Sequence, residues 1–181
     1  MDLRLKKLVT AAVTAAAYAA LTILLAPISY GSIQFRVSEV LCILPFFLPC
    51  TAWGLFVGCV ISNLFSAAGL LDVIFGSMAS LLAGLCTARL GMGNKISPDT
   101  SISLWRCAAA CAMPVVFNAP IVGAVLSWTL MPTEAFWEGL FLFGAQVGAG
   151  EAAVMFILAL PVMRGLMKNA AVCKFLSRLS N

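Results

Sequence analysis

Charged residues are scarce in this sequence. Asp, Glu, Lys and Arg together make up 10% of its 181 residues, whereas hydrophobic residues make up 62%. An average soluble domain has about 25% charged residues, so the composition excludes an ordinary soluble protein. The apolar stretches are also continuous, whereas the strands of a membrane β-barrel carry a polar residue at every second position. The sequence therefore predicts an all-α membrane protein, in agreement with its mean hydropathy of +1.06.

Histidine is absent altogether. Its absence removes the commonest general base and a common metal ligand, which disfavours hydrolase triads and zinc sites. The seven cysteines form no Cys-x-x-Cys pair, and most lie inside apolar runs, where cysteine acts as a small hydrophobic residue. The sequence also lacks the Gly-x-x-x-x-Gly-Lys-Ser/Thr motif of a P-loop, so the chain cannot hydrolyse ATP by that route. We therefore predict no metal site, no cofactor and no enzymatic activity.

The sequence does contain a series of long apolar runs. A helix needs about 20 residues to cross the hydrocarbon core, and six spans fit the runs. The uncharged stretch 40–71 is too long for one span, and Pro45 and Pro49 indicate a break inside it. The predicted spans are 8–26, 36–48, 51–68, 72–89, 106–131 and 136–163. We interpret residues 1–168 as one transmembrane domain and residues 169–181 as a basic cytoplasmic tail.

The basic residues set the orientation of the spans. They cluster before the first span, after the last one and in the loop between the fourth and fifth. The positive-inside rule places such clusters in the cytoplasm, so both termini should be cytoplasmic and the number of spans should be even. The net charge of +4 thus reflects topology and not the binding of nucleic acid. The clusters contain Arg4, Lys6, Lys7, Arg89, Lys95, Arg106, Arg164, Lys168, Lys174 and Arg178.

Arg36 and Glu39 stand isolated between the uncharged stretches 8–35 and 40–71. They could pair with each other, because residues three apart meet on one face of a helix. A buried ion pair often adds no net stability, however, so its presence between two spans favours a functional role. We expect a site for a polar ligand here.

Other polar side chains map onto the same outer half of the bundle. A charged residue at the membrane centre costs about 2.5–3.5 kcal/mol on insertion scales, so Glu151 should face the bundle interior and have a partner, which could be Arg36. Asp72 could interact with the dipole of its own helix, and Asn63 and Asn118 could join helices by hydrogen bonds. The predicted site residues are Gln34, Arg36, Glu39, Asn63, Asp72, Asn118 and Glu151, with the aromatic residues Tyr30, Phe35 and Trp53.

These residue types fit a flat, polar heterocycle as ligand. Carboxylates accept hydrogen bonds from neighbouring N–H groups, amide side chains both donate and accept, and the Arg36 guanidinium donates to a carbonyl. The aromatic residues could stack on a ring, although aromatic side chains near a membrane surface often belong to its interfacial belt. With three acids against one arginine, the site favours a neutral or cationic ligand.

Four segments carry a resemblance to a known family: residues 29–39 (SYGSIQFRVSE), 63–66 (NLFS), 69–77 (GLLDVIFGS) and 118–123 (NAPIVG). Together they resemble the QueT family of S components, the substrate-binding membrane subunits of energy-coupling factor (ECF) transporters. The resemblance implies a six-helix protein of the bacterial plasma membrane that binds a queuosine precursor, a 7-deazaguanine such as preQ1, preQ0 or queuine. It also implies, as partners, a transmembrane coupling subunit and two ATPase subunits.

On this resemblance, Glu39 or Asp72 would read the guanine edge of the ligand, and Glu151 or Asn118 would bind the rest. S components of this class also dock on the coupling subunit through small residues of the first helix. The chain offers two neighbouring registers of alanines there, and either would let helices approach closely. They are Ala12, Ala16 and Ala20 in one register and Ala11, Ala15 and Ala19 in the other.

Three other functions stay open. The chain could be an autonomous ion-coupled carrier in which Asp72 and Glu151 relay protons, or an S component for another vitamin. An intramembrane enzyme ranks last, because the sequence has no paired Asp motif, no Ser/His set and no zinc-binding motif.

Overall fold

The computed structural model describes residues 2–30, 34–66, 68–91 and 102–180, and every regular element in them is helical. Lys95 of the predicted cytoplasmic loop, positions 31–33 of the SYGSIQFRVSE segment and position 67 of the third predicted span lie outside these residues. The α-helices are α1 (Leu3–Leu24), α2 (Ala26–Ser29), α3 (Leu44–Phe47), α4 (Thr51–Asn63), α5 (Ser77–Leu90), α6 (Leu104–Leu130), α7 (Phe136–Ala153), α8 (Leu160–Lys168) and α9 (Ala170–Ser180). Two 3₁₀ helices, Val37–Ile43 and Thr133–Ala135, precede α3 and α7, and two π-helical segments, Asp72–Gly76 and Val154–Ala159, precede α5 and α8.

Among the described residues, four helical stretches are long and apolar enough to cross a membrane: Leu3–Leu24, Asp72–Leu90, Leu104–Leu130 and Thr133–Lys168. The protein is therefore an all-helical, multi-pass membrane protein. Two shorter apolar helices, Val37–Phe47 and Thr51–Asn63, occupy the positions of the second and third predicted spans, and the chain breaks between them around Pro49. The count of six spans and the cytoplasmic placement of both termini stay predictions.

Small residues set the distance between neighbouring helices. α1 packs on α4, where a Cβ atom added at Gly58 would lie 2.7 Å from the Ala15 carbonyl oxygen. α6 packs on α7 in the same way, since a Cβ atom at Gly123 would lie 2.7 Å from the Gly144 Cα atom. Neither contact leaves room for a side chain, so these helices approach through their backbones, as is common in membrane bundles.

The largest apolar cluster lies around the short helix α3. Phe46 and Phe47 of α3 pack edge to face with their ring centroids 5.4 Å apart, and Met163 of α8 is buried with them. Cys173 and Leu176 of α9 are buried in the same cluster. Residues 170–180, part of the predicted basic tail, thus form a helix that packs on the bundle through one face.

Candidate binding site

Glu39 lies on the 3₁₀ helix that precedes α3 and is fully buried. A 3₁₀ helix has three residues per turn, so Cys42 stands directly over Glu39 and donates from its Sγ to Glu39 Oε2 at 2.8 Å. Tyr18 of α1 donates its hydroxyl to the other carboxylate oxygen, Oε1. Such helices rarely exceed four residues, and this one gains support from a 2.7 Å hydrogen bond between Thr22 of α1 and Ser38.

Glu151 and Asn118 meet across the α6–α7 contact. The Asn118 amide nitrogen donates to Glu151 Oε1 at 3.1 Å, and the two residues are 4% and 2% exposed, respectively. The Glu39 carboxyl group lies near that of Glu151, and the two interact electrostatically. Glu151 lies just before the π-helical segment Val154–Ala159, a local distortion that is frequent at functional sites. We call Glu39 and Glu151 the acid pair.

Arg36 does not pair with Glu39 but with Asp72, at 3.5 Å between Nη2 and Oδ2. Arg36 is 5% exposed and Asp72 is fully buried, so the two charges compensate each other away from water. The guanidinium carbon lies 5.7 Å from the centre of the Tyr30 ring, within the range of a cation–π contact. The Tyr30 hydroxyl donates to the Ser62 carbonyl at 2.6 Å, which fixes the ring against α4. We call Arg36 and Asp72 the ion pair.

Asn63 holds the segment that carries Asp72. Its amide nitrogen donates to the Asp72 backbone carbonyl at 3.0 Å, across the connection between α4 and α5. A Cβ atom at Gly76 would lie 2.6 Å from Asp72 Oδ1 and 2.8 Å from the Asn63 amide nitrogen. Any side chain at position 76 would clash with these polar atoms, so only glycine fits here. Asn63 therefore fixes the backbone of Asp72 and helps to position the ion pair.

Several buried polar atoms keep unused hydrogen-bonding capacity. Within the described part of the chain, Asn118 Oδ1, Arg36 Nε and Asp72 Oδ1 have no hydrogen-bond partner. An unsatisfied buried polar group costs about 1–3 kcal/mol. A ligand that completed these hydrogen bonds would recover that free energy.

Gln34 and members of both pairs surround one small space between the helices. It measures about 190 Å³, and no water-sized sphere fits inside it. Gln34 has a φ of 48°, in the left-handed region that residues other than glycine seldom adopt. The space, which we call the closed space, is lined by Gln34, Arg36, Asn118, Val122, Val147 and Glu151.

A larger cavity of about 500 Å³ lies elsewhere, between the segment that precedes α5, the helix α6 and the start of α7. Its lining is apolar apart from the indole of Trp128, so it offers little to orient a polar heterocycle. The closed space has the converging polar groups that such a ligand needs. We therefore take the closed space as the candidate site.

Most of the predicted site residues come together here. Trp53 does not: it is 57% exposed, packs against Phe56, and stands ten positions before Asn63 on α4. At about 1.5 Å of rise per residue, ten positions amount to about 15 Å along the helix axis. Phe35 is half-buried, and the contact described for it is a backbone hydrogen bond to Ile28.

Sequence reasoning missed Tyr18 and Cys42, the two donors to Glu39. Tyr18 is the one aromatic residue in the alanine-rich first span, and its hydroxyl needs a buried partner. This isolated tyrosine was a signal from which its buried contact could have been predicted. Cys42 gave none, because nothing in the sequence distinguishes it from the other cysteines that lie in apolar runs. Among the residues that the structure describes, no group of three cysteine or acidic side chains could hold a metal ion.

The two alanine registers of α1 lie on different faces. Ala15 and Ala19 are each 6% exposed, and the carbonyl oxygen of Ala15 touches α4 at Gly58. The register with Ala11, Ala15 and Ala19 is therefore occupied by packing within the chain. The register with Ala12, Ala16 and Ala20 is exposed.

Comparison with known proteins agrees with the resemblance noted in the sequence. The model of the QueT transporter family matches residues 8–168. A stretch of 77 residues is 44% identical to the queuosine precursor transporter QueT of Lactococcus lactis subsp. cremoris (strain MG1363). It covers 41% of this chain and 45% of that protein, which is less than half of the relative's length. None of the solved structures matches the chain significantly. Because the family match runs from α1 to the end of α8, the chain belongs to the QueT transporter family.

Proposed function

We propose that this chain is the substrate-binding S component of an ECF importer in the bacterial plasma membrane. It would capture a queuosine precursor of the 7-deazaguanine class from outside the cell. One observation carries the proposal: buried polar side chains from the first loop, α6 and α7 converge on the closed space inside an apolar helical bundle. Intramembrane ionisable residues that face the bundle interior mark substrate sites by default.

The two edges of the ligand would meet different groups. A guanine edge carries two neighbouring N–H donors and a carbonyl acceptor, which suit a carboxylate and a guanidinium side by side. Asp72 and Arg36 form such a set, and each has a polar atom without a hydrogen-bond partner in the described residues. Glu39 is the alternative for this edge. Glu151 and Asn118 would bind the remainder of the ligand.

Binding would require the closed space to open. Gln34 and Arg36 come from the segment between α2 and the 3₁₀ helix, whereas Asn118 and Glu151 sit on the two long helices α6 and α7. Backbone strain of the kind seen at Gln34 costs about 1–3 kcal/mol and persists only where the surroundings impose it. We therefore assign the movement to residues 34–36, which would act as a lid.

The import energy would come from partner subunits. The exposed alanine register, Ala12, Ala16 and Ala20, is the surface that can dock on a transmembrane coupling subunit, because the other register packs on α4. Ala16→Leu should disrupt co-purification with the coupling subunit and leave ligand binding unchanged. Ala15→Leu is the matched control: it should destabilise the chain itself. If the Ala16→Leu variant co-purifies with the coupling subunit as well as wild type does, the assignment of this docking surface is wrong.

The substrate assignment is tested by calorimetry on the purified chain without partner subunits. We expect binding of 7-aminomethyl- or 7-cyano-7-deazaguanine and no binding of riboflavin, thiamine or biotin. Binding of one of these vitamins with no response to either deazaguanine would assign the chain to another substrate.

An autonomous ion-coupled carrier is the second candidate, with Asp72 and Glu151 as the acids that relay protons, and the burial of both side chains favours it. Vesicles that contain this chain alone separate the two functions. We expect no uptake in response to a pH gradient. Uptake of the deazaguanine driven by the gradient would establish the carrier instead.

A further inference from the structure

The C-terminal helix α9 begins at a break directly after the last membrane-crossing stretch. That stretch ends at Lys168, and Asn169 leaves the helical conformation with a φ of −89° and a ψ of 107°. The Asn169 side-chain oxygen accepts hydrogen bonds from the backbone N–H groups of Ala171 and Val172, at 3.0 and 3.3 Å. Asn169 is therefore an N-cap, and α9 starts there as a new helix at the end of the part that crosses the membrane.

One face of α9 is held against the end of the bundle. Cys173 and Leu176 are buried in the apolar cluster around α3. The Cys173 thiol donates to two carbonyl oxygens at the end of α8, at 3.6 and 3.4 Å. Lys6 of α1 donates from its side chain to the Arg178 carbonyl oxygen at 3.5 Å. Contacts with both α1 and α8 thus fix the orientation of α9 and decide which side chains stay outside.

The outer edge of α9 carries two cations beside an exposed aromatic ring. Lys174 and Arg178 are exposed and four residues apart, so they share one side of the helix. Phe175 is 60% exposed and stands three residues before Arg178, which places its ring on the same edge. Within the described part of the chain, neither cation has an acidic partner. We call Lys174, Phe175 and Arg178 the basic edge.

The charge around α9 is almost entirely of one sign. Residues 2–7 and 160–180, which include the neighbouring ends of α1 and α8, contain seven basic residues and one acid, Asp2. Glu134 and Glu138 lie at the opposite end of the membrane-crossing stretch Thr133–Lys168. Because no group of comparable negative charge lies beside the basic edge in the sequence of these segments, an anionic partner from outside the chain is favoured.

We propose that α9 is an interfacial helix whose basic edge binds anionic phospholipids. Lipid phosphates would pair with Lys174 and Arg178, and the Phe175 ring would insert among the acyl chains next to them. A lipid surface offers negative charge and an apolar phase side by side, which is the combination that the basic edge matches. The positive-inside rule predicts that these are lipids of the inner leaflet. The inference does not depend on the proposed function, and the family match ends at residue 168, before α9.

Hydrogen exchange of the full chain in lipid nanodiscs tests the proposal without any variant. Discs of phosphatidylcholine alone are compared with discs that contain phosphatidylcholine and phosphatidylglycerol in equal amounts. We expect the amides of residues 170–180 to exchange at least tenfold more slowly in the anionic discs, about 1.4 kcal/mol. Salt at about 1 M shortens the Debye length to about 3 Å and should remove most of the difference. Equal exchange in the two kinds of disc at low salt would overturn the proposal.

Two double variants separate the basic edge from the overall charge. Lys174→Gln with Arg178→Gln should lose the response to phosphatidylglycerol. Arg4→Gln with Lys7→Gln is the matched control, because it removes the same charge from exposed positions of α1 and leaves α9 intact. The control should keep most of the response. If both double variants lose it equally, net charge and not the basic edge attracts the lipid, and the proposal is wrong.

The aromatic ring and the partner subunits are tested in the same way. Phe175→Ala should weaken the response to phosphatidylglycerol and not abolish it, because both cations remain. An unchanged response would show that the ring does not insert. Slower exchange of α9 that appears only when coupling and ATPase subunits are added, and equally in both kinds of disc, would mean that the basic edge binds a protein. That result would also overturn the proposal.

Discussion

The ion pair and the acid pair lie in the same bundle, both buried, but differ in charge. Arg36 and Asp72 carry opposite charges 3.5 Å apart, and Arg36 also lies over the Tyr30 ring. Glu39 and Glu151 are both acids, and their donors Tyr18 and Asn118 are neutral. The two charges of the ion pair compensate each other, whereas the hydrogen-bond donors to the acid pair among the described residues are neutral.

This difference predicts opposite responses to removing one charge. Loss of one member of a buried ion pair leaves the other charge without compensation, which costs about 3–5 kcal/mol. Loss of one member of a like-charged pair relieves repulsion instead. Four substitutions test this contrast, and they follow in order of decreasing expected effect.

Arg36→Met should have the largest effect, a loss of about 3–5 kcal/mol in the free energy of unfolding, because Asp72 would stay buried without its counter-charge. Thermal unfolding in detergent measures it. Arg89→Met on α5 removes an exposed arginine and is the matched control. The double variant Arg36→Met with Asp72→Leu should recover most of the loss, because it removes both charges. A full loss that persists in the double variant would show that packing, and not charge, explains the effect.

Tyr18→Phe should lower the free energy of unfolding by about 1–3 kcal/mol, because Glu39 loses a buried hydrogen-bond donor. Tyr30→Phe removes the same atom on the side of the ion pair, where the acceptor is the neutral carbonyl of Ser62. Its effect should be smaller, about 0.5–1.5 kcal/mol. Chemical unfolding of both variants gives the comparison. If both variants lose the same free energy of unfolding, the acid pair depends on its hydrogen-bond donors no more strongly than the ion pair does.

Glu151→Gln should leave the free energy of unfolding within about 1 kcal/mol of wild type, since a glutamine can still accept from Asn118 and donate to Glu39. Binding of the aminomethyl ligand should weaken at least tenfold, about 1.4 kcal/mol. Unfolding and calorimetry on the same preparation report both quantities. A loss of stability as large as that of Arg36→Met, with unchanged affinity, would make Glu151 a structural residue.

The polar composition of the site could be predicted from the sequence because buried charges are rare in a membrane protein. Arg36, Glu39, Asp72 and Glu151 stand out in a chain with 10% charged residues, and the structure gathers all four. The helical class and the break near Pro49 follow from equally simple patterns. These features depend on composition and local order along the chain.

The partners of each charge could not be predicted, because they depend on how the helices rotate. Arg36 pairs with Asp72, 36 positions away, and not with Glu39 three positions away. The 3₁₀ helix turns Glu39 towards Tyr18 of α1, and this orientation depends on how the two helices pack. Trp53 lies apart from the candidate site for a related reason, since its distance from Asn63 follows from the helix axis and not from proximity in sequence.

Gln34 gives the smallest expected effect and joins the two pairs, because it lines the closed space together with Arg36 and Glu151. Its φ of 48° favours glycine. Gln34→Gly should therefore be more stable to unfolding than Gln34→Ala by about 1 kcal/mol, although both lose the same side chain. Calorimetry then isolates the role of the side chain: if Gln34 contacts the ligand, both variants bind more weakly than wild type by a similar factor. If the lid is controlled by backbone strain, only the glycine variant changes the rate of ligand binding in stopped-flow measurements. Equal stability of the two variants would contradict the strained conformation itself.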